Sequence, residues 1–359
     1  MTLVIDKSNW KKLKFGTVIE SITNRIDNPS EAGVDRYVGL EHLDPGSMTI
    51  NRWGTPDQVE ATKLLFKQGD VVFGRRRAYQ KKVSMADFDG ICSAHALVLR
   101  SKNGIIDPLF LPVFLSSDTF LERAIKISVG SLSPTVNWKS LATQEFFFPP
   151  IDQQIEISKL FWSIEKSIES KKNLASNLIV ALDRTIKTEI EKCISFELLP
   201  SIVDVLDSQR IPVNSAERNL RTGSVPYYGA GGQVGWIDEA IFNEDLVLVG
   251  EDATLEVYRI SGPSWVNNHA HVLRGTTISN DWLFYVLSRM NLKSIATNGT
   301  RLKLTQSALN SIEIPIPIEE KVVVAKIREI ERAIDLNRIA LEEEKKLQLA
   351  LKVEFFGEV

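Results

Sequence analysis

The sequence predicts two similar strand-rich domains, each running out into one long amphipathic helix, with the two helices packed on each other antiparallel. Three observations carry this. The chain repeats itself once from end to end, a proline-marked exit closes each half, and a stripe of apolar residues at helical spacing follows each exit.

The repeat is read most directly at the exits. VGSLSPTVNWKSLATQEFFFPPIDQQIEI (129–157) lies on NGTRLKLTQSALNSIEIPIPIEEKVVV (298–324), so that Gly130 meets Gly299, Leu141 meets Leu309 and Pro150 meets Pro317. The separation drifts through 169, 168 and 167, which two one-residue deletions explain. Upstream, GDVVFG lies on EDLVLVG and SAHALVLR on NNHAHVLR, where His95 meets His269 at a separation of 174. Within each half, short apolar runs broken by Pro45-Gly46, by the glycines at 229–232 or by Gly262-Pro263 read as strands and turns.

The first helix is expected from about Asp152 to Cys193, because Ile157, Leu160, Ile164, Ile168, Leu174, Leu178, Leu182, Ile186 and Ile190 recur at mostly helical spacings. At 1.5 Å per residue it reaches roughly 60 Å, longer than one globule needs. The second, from about Glu319 to Lys352, carries Val323, Ile327, Ile330, Ile334, Asn337 and Leu341 at alternating steps of four and three. That is a heptad seam with one polar position, and an asparagine there can set register. Two narrow stripes of this kind are best satisfied by each other.

Composition excludes several classes. A formal net charge of -3 and a pI near 6.0 rule out a protein that coats nucleic acid through its whole surface, so phosphate contact must come from clusters or from a basic partner. Cys92 and Cys193 are the only cysteines and give neither a disulfide framework nor a paired-cysteine zinc site. The N-terminus has no long apolar region and no run of eighteen apolar residues occurs, so a cytoplasmic location without membrane insertion is expected.

No convincing active site is found. Asp107-Pro108-Leu109-Phe110 is one residue short of the Asn/Asp-Pro-Pro-aromatic motif that holds a flipped base, and no Gly-rich cofactor turn precedes it, so it reads as a helix start. YGAGGQVGW (228–236) departs from the dinucleotide fingerprint and reads as a loop with exposed backbone. His269 and His271 fall on one face of a strand, yet no third metal ligand is recognisable, which favours packed or hydrogen-bonded histidines. Glu251-Asp252 has no nearby Lys in a nuclease arrangement, and no Ser/His/Asp set can be assembled.

The basic run GRRRAYQKK (74–82) is different. Lys63 to Lys82 holds seven Lys or Arg residues against Asp70, a local balance of +6 between two apolar strands. Arginine presents a planar fork of donors that matches phosphate oxygens or the O6/N7 edge of guanine, and tyrosine and glutamine add donors and stacking surface.

Taken together, GDVVFGRRRAYQKKVSMADFDGICSAHALVLR, VPYYGAGGQVGWIDEAIFNEDLVLVGED and the two Pro-rich exits into long helices resemble the DNA-specificity subunit of type I restriction-modification systems, over roughly residues 10 to 352. The resemblance implies an α/β (α+β) fold of two target-recognition domains of twisted strands and short helices, 1–150 and 196–317. These are separated by long antiparallel coiled-coil-like helices in 151–195 and 318–359, with pseudo-twofold symmetry. Each domain would read one half of a bipartite site on double-stranded DNA. The first would use Arg75, Arg76, Arg77, Tyr79, Gln80, Lys81 and Lys82. In the second, Glu251 and Asp252 replace the arginines, so contact is expected from Tyr227, Tyr228, Gly229, Gln233, Arg301 and Lys303. The resemblance further implies a non-catalytic chain without cofactor or metal of its own. Two copies of a methyltransferase subunit would carry adenine flipping and methyl transfer from S-adenosylmethionine, and restriction or motor subunits would add ATP and Mg. Two rival readings stand beside it: a stand-alone methyltransferase with an unrecognised cofactor site, and a coiled-coil adaptor that does not touch DNA.

Overall fold

The computed structural model describes residues 6–102, 104–252, 255–298 and 302–357. The chain divides into two compact units, residues 1–173 with 338–359 and residues 174–337. The division falls inside the two long helices, so each unit holds one globule and one part of each helix.

In the first unit, the strand Lys11–Lys14 pairs antiparallel with Glu145–Phe148, which sets the way into the globule beside the way out. Between them lies a four-stranded antiparallel sheet in the order Ile19–Ile22, Leu97–Ser101, Val71–Phe73, Val83–Met85. A second sheet orders Arg25–Ile26, Lys63–Phe66, Gly90–Ser93 and Tyr37–Val38, the last pair parallel. Successive side chains of a strand point to opposite faces. Val71 and Phe73 therefore enter one core with Phe110, Phe114 and Phe120, while Val72 enters another with Phe66, Cys92 and Val98. Burial on both faces is why GDVVFG reads as a continuous apolar run.

The second unit repeats this plan. Ser195–Leu198 pairs antiparallel with Glu313–Ile316, and the sheet between them orders Val203–Val205, Ala270–Gly275, Leu246–Gly250, Val257–Ile260. Val247 and Val249 face one core and Leu246 and Leu248 the other. The segment expected as a Gly-rich loop is instead a β-hairpin, Val225–Gly229 against Gly232–Ile237, which joins a sheet with Pro263–Val266 and Phe242–Asn243. Its glycines conceal the strand pattern, but Tyr227 and Ile237 are buried with Trp265 and supply the apolar anchor.

The first long helix is Ile151–Glu191, beginning directly after Pro149-Pro150, and the second is Glu320–Phe356. The second runs past the expected Lys352 because Phe355 and Phe356 belong to the first unit's aromatic core, 5.8 Å and 6.4 Å from Phe161 by ring centroids. Within that unit Glu165 accepts from Gln348 at 3.1 Å and Lys171 pairs with Glu344 at 2.5 Å. Rising numbers on one helix meet falling numbers on the other, so the two segments are antiparallel. In the second unit Lys326 pairs with Glu189 at 2.8 Å, and Ile186 and Ile327 share a core. Asn337, the polar position of the seam, is buried.

Each helix is also fixed to its own globule by a carboxylate. Glu165, 4% exposed, accepts from the Met48 backbone N–H at 2.8 Å. On the second helix Glu331 accepts from Arg259 and from the Tyr285 hydroxyl, both at 2.8 Å. Among the described residues no helix is long and apolar enough to cross a membrane, and no three His, Cys, Asp or Glu side chains are grouped to hold a metal ion.

Candidate nucleic-acid interface

The basic run leaves the buried strand Val71–Phe73 at Gly74 and turns through a short 3-10 segment, Ala78–Gln80. Arg77 and Lys81, at its two ends, have φ of +57° and +53°, a left-handed conformation that L side chains avoid. Such residues cost about 1–3 kcal/mol each and persist where the surroundings enforce them. Here the enforcement is visible: Ala78 is buried, Gly74 N–H donates to the Lys82 carbonyl at 2.9 Å, and Arg77 N–H donates to the Pro134 carbonyl at 2.7 Å.

The side chains divide into two groups. Arg76 donates to Ser133 Oγ at 3.3 Å and reaches His95 Nε2 at 3.5 Å, and Arg77 donates to the same Ser133 Oγ at 3.3 Å. Arg75 carries a buried Nε without a hydrogen-bond partner. Burial first, then the Arg76 and Arg75 charges, push the His95 imidazole below its ordinary pKa, which suits it to accept from Arg76. Tyr79 is 52% exposed and Gln80 lies half-buried beside it. Lys81 is instead held by Asp118 at 2.6 Å, and Lys82 donates to the Leu40 carbonyl at 2.5 Å. The structure therefore gathers the three arginines around Ser133 and His95 and turns the two lysines to local partners. Ser133 lay in the quoted repeat without any signal that it would meet this loop.

The matching corner of the second unit has the same frame and other side chains. Val136 N–H donates to the Arg75 carbonyl at 3.0 Å, and Leu304 N–H donates to the Glu251 carbonyl at 2.8 Å. Arg76 bridges Thr135, and Asp252 bridges Lys303, both antiparallel. Glu251 is held between Lys303 at 3.0 Å and Arg210 at 3.2 Å, so a lysine distant in sequence does reach it, as an ion-pair partner. Fifty-two residues of sequence separate Glu251 from Lys303, and only the fold closes that gap. Asp252 accepts from His269 Nδ1 at 3.1 Å.

His271 is fully buried between Asp207 at 2.6 Å and the Leu304 carbonyl at 2.8 Å. Both partners are acceptors, so both ring nitrogens must donate. Burial works against that charge, but the two hydrogen bonds and the Asp207 charge outweigh it and raise the pKa. The histidines thus take separate carboxylate partners.

The hairpin meets this corner at Gly250, where a Cβ would fall 2.5 Å from the Ala230 carbonyl. Tyr227 is buried, its hydroxyl donating to the Val213 carbonyl at 3.1 Å, with the Arg218 guanidinium 4.9 Å from its ring centroid. Tyr228 packs against Tyr258, whose hydroxyl donates to the Gly229 carbonyl, and burial raises the Tyr228 pKa. Gln233 is exposed and donates to the Gly235 carbonyl at 3.2 Å, flanked by exposed Val234 and Trp236. Arg301 lies outside the described residues. Asp107 behaves as a helix start: its Oδ1 accepts from the Leu109 and Phe110 backbone N–H groups at 3.0 Å, and the helix Phe110–Leu115 follows.

The sequence is 34% identical over 130 residues to a putative type I restriction enzyme specificity subunit, S.HindORF215P, of Haemophilus influenzae, covering 34% of this chain and 33% of that protein. It is 24% identical over 193 residues to the EcoDI specificity subunit of Escherichia coli, covering 53% of this chain and 43% of the relative. These alignments span less than half the length of the relatives. The fold matches the crystal structure of a type I restriction-modification system S subunit from M. genitalium with a TM-score of 0.66 at 15% identity, each chain covered over 100%. A chain in a structure of complex assembly and conformational transition of the type I R-M system matches with a TM-score of 0.59 at 18% identity, covering 98% of each chain. The model of one family, described as "Type I restriction modification DNA specificity domain", fits this sequence twice, over residues 7–178 and 199–350. The two halves that share one strand order and one frame at the corner are two copies of that domain, and the chain belongs to the type I restriction-modification DNA specificity family.

Proposed function

We propose that this chain reads a bipartite, asymmetric site on double-stranded DNA, one half through each domain, and holds two copies of a modification subunit against it. The observation that carries the reading is the arginine corner. Arg75 and Arg76 lead into a turn whose two ends, Arg77 and Lys81, are left-handed, and among the described residues the side chains of Arg76 and Arg77 find only Ser133 and His95 as hydrogen-bond partners. Such a fork suits phosphate oxygens and guanine edges. On this reading Arg75, Arg76, Arg77, Tyr79 and Gln80 face the first half-site, with Lys81 and Lys82 shaping the loop. Tyr228, Gly229, Gln233 and Lys303 face the second, with Tyr227 supporting the hairpin from inside.

The chain is non-catalytic on this proposal. Base flipping and methyl transfer from S-adenosylmethionine belong to the modification subunits, and ATP and Mg to restriction or motor subunits where these join, in the cytoplasm. Exposed apolar residues along the long helices, Ile179 and Val180 on the first and Val322, Leu347 and Val353 on the second, supply surface for such partners. A net charge of -3 neutralises few phosphates, so strong DNA binding is expected only in the complex.

Methylome sequencing of cells carrying the chain with a cognate modification subunit tests this. One bipartite motif methylated at adenine is expected, and its absence would sink the reading. Binding of S-adenosylmethionine to the chain alone would favour a stand-alone methyltransferase instead.

A further inference from the structure

The two corners share a backbone frame and differ in hydrogen-bond polarity. The first presents Arg76 and Arg77, which only donate, and the second presents Asp252, which only accepts when ionised. The other acid of the second corner is not available for contact, because Glu251 is 16% exposed and held by both Arg210 and Lys303. Asp252 is 32% exposed, and His269, its partner, 54%. The turn carrying each histidine is also preserved: His95 N–H donates to Ser93 Oγ at 3.2 Å, and His269 N–H donates to Asn267 Oδ1 at 2.8 Å.

On the reading proposed above, on which this rests, we infer that Asp252, positioned by His269, is a specificity residue of the second domain and accepts from the N4 amino group of a cytosine. Arg76 is its counterpart for a guanine in the first half-site. The choice between bases follows from the groove edges. Cytosine offers an amino donor with only C5–H beside it, whereas the amino group of adenine stands next to N7, whose lone pair opposes a carboxylate. Guanine and thymine offer acceptors there, which a carboxylate cannot use. Lys303, whose backbone bridges that of Asp252, pairs through its side chain with Glu251 at 3.0 Å, so that ammonium is directed to the neighbouring acid and not to Asp252.

The test is methylome sequencing of the full complex carrying Asp252→Ala, and separately Asp252→Asn. With alanine, one C·G position of the second half-site should become degenerate while the first half-site stays as it was. With asparagine, which both donates and accepts, that position should tolerate adenine as well as cytosine. Lys303→Ala is the charge control and should lower the extent of methylation without altering any base of the motif. An unchanged motif in the alanine variant overturns the inference, as does degeneracy at an A·T position or in the first half-site. Loss of all methylation in both Asp252 variants would make the residue structural and equally overturn it. A wild-type complex with no bipartite motif would instead remove the DNA reading itself.

Discussion

At the end of the strand Val71–Phe73 the first unit places Arg75 and Arg76, and at the end of Leu246–Gly250 the second places Glu251 and Asp252. The backbone bonds that hold the two corners are near copies, Val136 to Arg75 at 3.0 Å and Leu304 to Glu251 at 2.8 Å. The charges are opposite. Buried strands and their ladder fix where the corner stands, because both faces are covered and a one-residue slip would expose a buried row. Nothing in that constraint reaches the side chains beyond the strand end. The duplication has kept the frame and released the residues beyond the strand end, which is the separation that the proposed reading of two different half-sites requires.

The largest expected effect comes from erasing the difference on the basic side. Arg75→Ala, Arg76→Ala and Arg77→Ala together, in the complex with modification subunits, should weaken DNA binding by roughly a hundredfold or more, since a bidentate base contact is worth about 1–3 kcal/mol. If two or three of the arginines touch phosphate, the slope of log affinity against log salt should also fall by about 1 for each. Lys303→Ala, at the matching corner, should change the affinity by only about threefold, its charge being shared with Glu251. Anisotropy titrations over a salt series measure both. Equal effects from the two corners would break the comparison, and unchanged binding by the triple variant would take the arginines out of the interface.

A middle-sized effect is expected where each helix grips its globule. Glu165→Ala leaves the Met48 N–H and the Gln348 amide without their acceptor in a buried place, which costs about 2–4 kcal/mol. Glu331→Ala removes one acceptor from Arg259, which keeps Asp281 at 2.7 Å, and the pair is partly exposed. That change should cost about 1–2 kcal/mol and less at high salt. Urea unfolding at low and high salt separates the two: the Glu165 cost should be insensitive to salt, and a reversed order would show that burial of the carboxylate does not decide the cost.

How much of this was legible in the sequence depends on distance along the chain. The double strand-to-helix plan was legible, because Gly130/Gly299, Pro150/Pro317 and the apolar stripes are local patterns, and the helices begin within one residue of where proline and periodicity put them. The hairpin at 225–237 was not, since Gly229, Gly231, Gly232 and Gly235 carry no alternation and its anchor, Trp265, lies far downstream. The basic loop was legible as charge. Its division was hidden, because Asp118, Ser133 and Leu40, which sort lysines from arginines, come from segments 37 to 57 residues away. The pairing of Glu251 with Lys303 and Arg210 was hidden for the same reason.

The smallest effect sharpens the comparison inside the cores. His271 aligns, at the separation of 174 that relates His95 to His269, with Leu97, and both positions are buried. The leucine needs no partner, whereas the histidine carries its proton only because Asp207 and the Leu304 carbonyl face its two nitrogens. A histidine whose folded pKa is raised adds stability that is fully present below its unfolded value of about 6.5, and that stability is lost as pH rises through the folded value. The second unit should therefore loosen, relative to the first, as pH rises from about 6.5. Hydrogen exchange of the amides in Ala270–Gly275 reads this directly, and Leu97–Ser101 serves as the internal reference that removes the intrinsic pH dependence of exchange. In His271→Leu the ratio of the two segments should become flat with pH. The variant should protect Ala270–Gly275 less than the wild type below pH 6.5, because the Asp207 carboxylate then keeps Arg210 at 3.4 Å and the Val272 N–H but loses the imidazolium, and the two proteins should converge as pH rises. Parallel curves for the two proteins would mean that the imidazolium contributes nothing to the second core and that its geometry alone is retained.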